Sequence, residues 1–317
     1  MEAVDLLSDF VARARVDGEE LDRERGVVIQ EINRSADQPS SVADKLLDQA
    51  LYGDHPLGRP VLGPAEHLRT FSREGILAFR ERQWATERGG AFLAGDVSHV
   101  DEDRLGELFA RFPSRPANGA ADPAPAFERR ILVSERDTNQ SHLRLAWAPG
   151  IDPTSLRERA ALSVYSTLLG GSMGSRLFDE IREQRGLCYA IRAYGFAHAD
   201  TSTLEVASGL DSAKCLEAYG RIKEIVSELA DDGPTEEEVE RARAYAAGST
   251  VLALESTNAV ARRAASNKVT YGEIAPPEDV IDALDAVTFD EVAAIARGIQ
   301  GEPVVACVGP HEVANFE

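Results

Sequence analysis

The chain has 317 residues, 43% of them hydrophobic, which is enough for two domains with separate cores. Its formal net charge of -20 and sequence pI near 4.8 argue against binding to the phosphate backbone of nucleic acids. No run of about 18 apolar residues and no basic amino-terminal region followed by an apolar core occurs. We therefore expect the chain as given to be cytoplasmic, without nucleic acid or membrane among its partners.

The first third of the chain is predicted to be mainly helical. Apolar residues recur at helical spacing over residues 3–15, 19–34, 42–51, 70–84 and 101–112, with Thr70 as the expected cap of the fourth helix. Residues 91–97 form a short apolar run that is typical of a buried strand. Residues 113–127 are rich in proline and small residues without an apolar period, which indicates an interdomain linker.

The helix predicted over residues 19–34 carries two acidic residues on an otherwise apolar face. At roughly 100° per residue, Leu21, Glu24, Val28, Glu31 and Ile32 share one side of this helix. An ionised carboxylate on a buried face is costly unless a cation, a metal or good hydrogen-bond donors meet it. The pattern therefore predicts a partner for the two carboxylates, while periodicity alone leaves open that both lie at the edge of the face and reach water.

The remainder of the chain alternates between strand and helix patterns. Strands are predicted over residues 130–135, 141–148, 187–196, 201–208 and 303–308, and the third and fourth should pair as an antiparallel hairpin. Helices are predicted over residues 156–169, 175–185, 212–230, 235–254, 259–271 and 278–284. A further helix begins at the capping box of Thr288 and Glu291.

Two segments have similar elements in the same order, which suggests an internal repeat. Residues 70–74 open a helix that leads to the apolar run 92–95, and residues 288–292 open a helix that leads to the strand 304–309. The second copy takes 181 residues, from Arg129 to Gly309, whereas the first reaches Gly95 after only 95. If the copies were once equal, we expect about 86 residues to be missing before Met1.

These patterns together predict an α+β fold of two homologous mixed α/β modules. Each module is expected to hold an antiparallel-rich sheet packed by helices on one face, and the first module should be incomplete. We place the first module at residues 1–113, the linker at 114–128 and the second module at 129–317.

The cysteines and histidines give no metal site that can be read from spacing. Cys188, Cys215 and Cys307 are widely separated and odd in number, which fits neither a disulfide framework nor a thiolate metal cluster. We expect them to be reduced residues of the core. None of the six histidines has another histidine four positions away, so no H-x-x-E-H motif occurs.

Several segments resemble the insulinase and mitochondrial processing peptidase family. They are residues 24–32 (ERGVVIQEI), 52–60 (YGDHPLGRP), 170–189 (GGSMGSRLFDEIREQRGLCY) and 287–292 (VTFDEV), and the resemblance runs over essentially the whole chain. Members of this family are zinc endopeptidases built from paired α+β modules that close around a peptide. The resemblance therefore implies a metallopeptidase, with peptides or unfolded proteins as substrates.

The resemblance also implies roles for four residues. Glu31 matches the glutamate that supplies the third zinc ligand, and Glu24 matches an acidic residue beside the metal site. Arg182 and Tyr189 match residues that the second module supplies to the substrate, Arg182 to a peptide carbonyl and Tyr189 to the oxyanion. Without the resemblance, Arg182 would be read as part of a surface ion pair and Tyr189 as a residue at a strand edge.

The chain departs from the family at the metal site. Two zinc histidines and a glutamate come from an H-x-x-E-H helix in that family, and a single carboxylate does not make a zinc site. The missing helix belongs in the segment that the repeat predicts to be absent. We therefore expect an amino-terminally truncated copy that does not bind Zn²⁺ stably and has no peptidase activity.

Three hypotheses follow from this reading. The first is a zinc metalloendopeptidase of the insulinase type whose carboxy-terminal part is this chain, a homodimer or heterodimer when intact, and periplasmic if a signal lies in the missing segment. The second is a noncatalytic partner subunit that supplies Arg182 and Tyr189 to a zinc-bearing chain. The third is a nonfunctional remnant. Retention of Glu24 and Glu31 favours the first, because a noncatalytic partner has no chemical need for both.

Overall fold

A computed structural model describes residues 2–114 and 122–317. Helices in this part of the chain are α1 (Glu2–Ala12), α2 (Gly18–Ala36), α3 (Pro39–Tyr52), α4 (Ala65–Thr70), α5 (Arg73–Gln83), α6 (Glu102–Phe109), α7 (Leu156–Ser166), α8 (Cys215–Asp232), α9 (Glu236–Leu254), α10 (Thr257–Tyr271), α11 (Pro277–Asp285) and α12 (Phe289–Gly298). Strands are β1 (Ile131–Glu135), β2 (Gln140–Trp147), β3 (Cys188–Ala197), β4 (Ser202–Asp211) and β5 (Val304–Gly309). Of the helices in the described residues, none combines the length and apolar character needed to cross a bilayer.

The chain separates into two compact units that are not simple halves of the sequence. The first unit comprises Met1–Ser35, Pro60–Asp122 and Ser256–Ser266, and the second comprises Ala36–Arg59, Pro123–Glu255 and Asn267–Glu317. Helix α3 therefore belongs to the second unit although it precedes most of the first unit in sequence. Residues 115–121 of the predicted linker lie outside the described residues. The domain boundaries derived from composition stay a prediction.

The described residues of the first unit are helical and irregular, without a strand. The apolar run 91–97, predicted as a buried strand, has irregular backbone, and Leu93 and Val97 are 41% and 48% exposed. This prediction is wrong because a strand needs a neighbouring strand for its backbone hydrogen bonds. The helix predicted from residue 70 begins at α5, where Ser72 Oγ accepts a hydrogen bond from the Gly75 N–H at 3.0 Å. Thr70 instead ends α4.

Helix α2 is present as predicted, but its apolar face is not buried. No residue of α2 is buried, Leu21 and Val28 are only half-buried, and both Glu24 and Glu31 are exposed. Of the two alternatives that periodicity left open, the structure shows the one in which both carboxylates reach water, and the burial expected for this face is wrong. Its physical reason is that the face itself is incompletely covered, so a carboxylate beside it remains hydrated and needs no cation.

The second unit contains a five-stranded mixed sheet in the order β1-β5-β2-β4-β3. Only β1 and β5 run parallel, and β3 and β4 form the predicted antiparallel hairpin. Helices α7, α8, α9, α11 and α12 cover one face, where Leu143, Leu145 and Trp147 of β2 join the main core. The predicted fold class, a mixed α/β module with an antiparallel-rich sheet packed by helices, is confirmed.

Helix α3 covers the other face of the same sheet over β5 and β2. Leu47 and Leu51 of α3 pack in a smaller apolar cluster with Ala146, Val304 and Ala306 of the two strands. Successive residues of a strand point to opposite faces of the sheet. The strand residues that contact α3 therefore alternate with those that face the main core.

A buried guanidinium fixes α3 to the sheet. Arg144 of β2 is only 8% exposed, and its Nε donates to Asp44 Oδ1 of α3 at 2.6 Å. Its Nη1 donates to the carbonyl of Leu143 at 3.1 Å. A buried guanidinium is tolerated only when acceptors meet it in this way, so the pairing restricts where α3 can lie on the sheet.

Acidic side chains lie beside this anchor. Burial raises the pKa of Glu205 on β4 to about 7, and the nearby Asp48 and Asp44 carboxylates of α3 add to the rise, while a hydrogen bond from Thr203 Oγ1 at 2.8 Å opposes it. Burial and the Asp44 charge raise the pKa of Asp48 to about 6. The larger rise in pKa belongs to Glu205, which is half-buried, and the smaller rise belongs to Asp48, which is exposed.

We predict that Glu205 makes the second unit less stable as pH rises from about 4.5 to about 7, because the folded chain keeps a proton that the unfolded chain has released. Glu205→Gln should remove this dependence, as measured by urea unfolding across that range. Burial lowers the pKa of His142 and of His198, and these two groups make the folded chain more stable as pH rises. The quantity to compare is therefore the difference in unfolding free energy between wild type and variant at each pH.

The exposed Glu217 on α8 offers a matched control. Glu217→Gln should keep the wild-type dependence on pH. Parallel stability curves for wild type and Glu205→Gln would contradict the assignment of the slope to Glu205.

Candidate functional site

Arg182 lies on a π-helical segment, Phe178–Gln184, of the second unit. Its side chain is 43% exposed, and its guanidinium carbon lies 4.7 Å from the centre of the Phe178 ring. Its Nε is 3.7 Å from Glu183 Oε1, beyond ordinary hydrogen-bond distance. The aromatic ring therefore restricts the orientation of the guanidinium, and the side chain remains partly exposed.

Tyr189 lies at an irregularity near the start of β3. Cys188 pairs with Leu210 of β4, and Ala190 pairs with Gly209, so Tyr189 is the extra residue of a β-bulge. A bulge changes the direction of a side chain relative to a regular strand. The Tyr189 side chain is directed across β4, and its hydroxyl donates to Gln140 Oε1 at 3.1 Å, where β2 begins.

Gly209 makes room for this tyrosine. A Cβ atom at Gly209 would lie 2.5 Å from the Tyr189 hydroxyl oxygen and 2.6 Å from Cζ, which is closer than such contacts allow. The ring therefore lies directly on the backbone of β4. Tyr189 nevertheless stays 48% exposed, so the residue is partly accessible while its ring has a defined position.

Arg182 and Tyr189 come together at the start of β3. The backbone N–H of Gly186 donates to the Arg182 carbonyl at 3.2 Å and that of Leu187 donates to the Ile181 carbonyl at 2.9 Å, so the end of the π-helical segment leads directly into β3. The two residues named for substrate contact thus lie at one end of the hairpin. A positively charged donor and a neutral hydroxyl donor at the same place can bind carbonyl oxygens of an extended peptide.

Glu24 and Glu31 are exposed on α2 of the first unit, and among the described residues neither belongs to a group of three or more side chains that could hold a metal ion. In this part of the chain, the one group of three or more side chains with metal-binding atoms within reach of each other is Cys215, Cys307 and His311. Because tetrahedral zinc needs three or four protein ligands, the donors at Glu31 do not fit a zinc centre. The roles of Glu24 and Glu31 stay predictions.

Sequence reasoning missed two residues that position Tyr189 and one side-chain cluster. Gly209 carried a readable signal, since a glycine inside a strand indicates close approach of another group. Gln140 carried none. Cys215, Cys307 and His311 converge only through the fold, so their separation in sequence hid the cluster.

Comparisons with known families match two consecutive parts of the chain. The model described as "Insulinase (Peptidase family M16)" matches residues 1–65, and the model described as "Peptidase M16 inactive domain" matches residues 70–245. The second match alone covers more than half of the 317 residues.

Curated relatives carry names of the same kind. An uncharacterized zinc protease of Mycobacterium leprae is 32% identical over 98% of this chain and 70% of its own length. The uncharacterized zinc protease YmxG of Bacillus subtilis is 31% identical over 93% of this chain and 71% of its own length. The chain thus spans about 70% of these relatives.

Solved structures share the fold at low sequence identity. The peptidase M16 inactive domain from Pseudomonas fluorescens aligns with a TM-score of 0.83 at 22% identity, over 98% of this chain and 75% of that chain. A chain of complex III from Candida albicans aligns with a TM-score of 0.75 at 14% identity, over 99% of this chain and 77% of that chain. At these identities the likeness concerns the fold alone.

The mixed sheet, its helical layer and the motifs around Arg182 and Tyr189 define a module of the processing-peptidase type. With the matches above, the chain belongs to the insulinase family, peptidase family M16, as its sequence motifs predicted.

We predict that Gly209→Ala displaces the Tyr189 ring from β4 and breaks its hydrogen bond to Gln140, because the new methyl group takes the space of the ring. Overpacking of this kind costs about 1–3 kcal/mol. Fluorine NMR of protein labelled with fluorotyrosine, with the Tyr189 signal assigned through Tyr189→Phe, should show that signal shifted.

Gly220 on α8 provides the control, since a Cβ there meets nothing within 4 Å. Gly220→Ala should leave the Tyr189 signal in place. An unchanged signal in Gly209→Ala would show that the glycine does not set the position of the ring.

Proposed function

We propose that this protein serves zinc-dependent hydrolysis of peptide bonds of the insulinase type, and that its second unit holds the substrate. The observation that carries the proposal is the placement of Arg182 and Tyr189 at one end of the β3–β4 hairpin, both partly exposed and both with defined orientation. The substrates we propose are peptides or unfolded segments, since an extended chain can present its carbonyl groups to both donors.

Arg182 is proposed to bind a peptide carbonyl. Its guanidinium is always protonated and lies over the Phe178 ring, so less of its freedom is lost on binding than for an unrestrained side chain. The long contact to Glu183 leaves its donors available to a ligand.

Tyr189 is proposed to donate its hydroxyl hydrogen bond to the oxyanion that develops during peptide hydrolysis. The hydroxyl now donates to the amide oxygen of Gln140, so it must exchange a neutral acceptor for a charged one. That exchange favours the oxyanion, because hydrogen bonds to charged acceptors are roughly twice as strong as those to neutral ones.

Zinc, when bound in a peptidase of this kind, activates a water molecule for attack on the carbonyl. The residues of this chain do not supply its donor set, since the 317 residues contain no H-x-x-E-H and Glu31 belongs to no group of three or more metal-binding side chains among the described residues. Glu31 as one zinc ligand and Glu24 as the acid beside it are proposals that the sequence motif supports.

A second candidate is a noncatalytic subunit that supplies Arg182 and Tyr189 to a zinc-bearing chain, as a homodimer or heterodimer. The match to a model described as an inactive domain and the fold shared with a chain of complex III favour it. Both candidates assign the same substrate contacts, so those contacts are tested first.

We predict that Arg182→Ala weakens binding of a fluorescent unstructured peptide about 10-fold, and that Tyr189→Phe weakens it less. Loss of one charged hydrogen bond costs about 1.5–3 kcal/mol and loss of a neutral one about 1 kcal/mol. Fluorescence anisotropy measures both. Matched controls are Arg185→Ala, which removes an arginine paired with Glu180, and Tyr194→Phe on the same strand; both should bind like wild type.

Equal binding by wild type and Arg182→Ala would remove the basis for both candidates. Cleavage of the peptide separates them: chelator-sensitive cleavage by the chain alone would support a complete peptidase. Cleavage only after addition of a family member that carries H-x-x-E-H would support the partner subunit.

A further inference from the structure

Three side chains with metal-binding atoms meet inside the second unit. Cys215 is the first residue of α8, Cys307 lies on β5, and His311 follows β5 by two residues. Cys215 and Cys307 are fully buried, and His311 is 7% exposed. This cluster is separate from Arg182 and Tyr189, and neither candidate function above uses it.

The spacing of these side chains suits a tetrahedral metal ion. One sulfur atom from each cysteine and one nitrogen atom of the imidazole all lie within 4.8 Å of one another. At the largest such separation, a point equidistant from the three atoms is about 2.8 Å from each. Zinc–sulfur bonds are about 2.3 Å and zinc–nitrogen bonds about 2.0 Å, so shifts of well under 1 Å would bring all three atoms to bonding distance.

The chemistry of the donors selects zinc over the common hard cations. Thiolates and imidazole bind zinc, whereas magnesium and calcium require oxygen ligands. Two thiolates and a neutral imidazole around Zn²⁺ give a complex of zero net charge. Such a complex can lie in an apolar core without the desolvation cost of an isolated ion.

A hydrogen-bonded serine positions the imidazole. Ser141 of β2 is fully buried, and its Oγ lies 2.8 Å from His311 Nε2 and 2.9 Å from Ser212 Oγ. Ser212 in turn donates to the carbonyl of Thr138 at 2.8 Å. This chain of contacts restricts the orientation of the imidazole, as hydrogen bonds to metal-ligating histidines commonly do.

Backbone and aromatic contacts complete the site. A Cβ atom at Gly309 would lie 2.3 Å from Ser141 Oγ and 3.1 Å from His311 Cδ2, so the glycine permits the close approach of these two side chains. The Phe316 ring meets the His311 ring edge-on, with 5.9 Å between centroids. His311 is therefore fixed from both sides.

We propose that Cys215, Cys307 and His311 form a structural zinc site that joins the start of α8, strand β5 and the carboxy-terminal segment. The site differs from a peptidase centre because it is buried and contains no exposed carboxylate. It also differs from our expectations from the sequence, in which the cysteines were inert core residues and the chain did not bind zinc stably.

The test measures zinc in the full chain, purified under reducing conditions without added metal, by elemental analysis. We expect about one zinc ion per chain in the wild type and less than about a tenth of that in Cys215→Ser and His311→Asn, since each removes one of three ligands. Two variants should keep their zinc: Cys188→Ser, which removes the cysteine outside the cluster, and Glu31→Gln, which removes the proposed peptidase ligand.

Cobalt substitution gives a readout that needs no variant. Wild-type chain unfolded with chelator and refolded with Co²⁺ should show thiolate-to-cobalt charge-transfer bands and the intense visible bands of tetrahedral cobalt. Absence of zinc and of these bands would overturn the proposal, and so would a disulfide between Cys215 and Cys307 under reducing conditions. Zinc lost in Glu31→Gln but kept in Cys215→Ser would also overturn it, because the metal would then belong to a peptidase-type centre.

Discussion

The second unit depends on covering both faces of its sheet, and the strand that imposes this requirement is β5. All six of its residues are buried, with Val305 and Cys307 in the main core and Val304 and Ala306 in the cluster under α3. A strand that is apolar on both faces is stable only between two layers. The helical layer supplies one cover, and α3, which comes from the opposite end of the sequence, supplies the other. The Arg144–Asp44 pair then restricts the position of α3, because a buried guanidinium without its acceptors would be costly.

This cover is partial, and the uncovered part is where the candidate site lies. Helix α3 lies over β5 and β2 and leaves the outer hairpin open, so Tyr194 and Phe196 of β3 remain 40% and 44% exposed. Tyr189 lies on the same face, since it rests on Gly209, whose direction is opposite to that of the core residue Leu210. The bulge at Tyr189 and the glycine at position 209 together set the position of the tyrosine ring on the sheet.

Local pattern was enough to predict much of this fold. The five strands of the second unit and its hairpin were readable because alternation and turn residues act over a few positions. The predictions that were wrong share one physical cause: the segment lacks a neighbouring element to pack against or to pair with. Residues 91–97 have the composition of a strand but no neighbour, and Glu24 and Glu31 share a helix face that is not covered. Arg182 and Tyr189 were named through family motifs alone. The contacts that orient them, from Phe178, Gln140 and Gly209, depend on pairing between strands and on a π-helical turn that periodicity does not reveal.

The two kinds of zinc site considered for this chain make opposite demands on structure. A peptidase metal keeps one position for water and substrate, so its ligands must border an accessible space. A structural zinc is closed by protein donors and excludes water. The exposed Glu31 has the accessibility of the first kind without its donors, whereas Cys215, Cys307 and His311 offer three of the four donors and the burial of the second kind. The relatives' names, which call them zinc proteases, therefore do not locate the metal in this chain. The rate at which a chelator removes the metal would locate it. A chelator reaches an open centre directly, but it reaches a buried centre only when α8 or the segment after β5 detaches from the core.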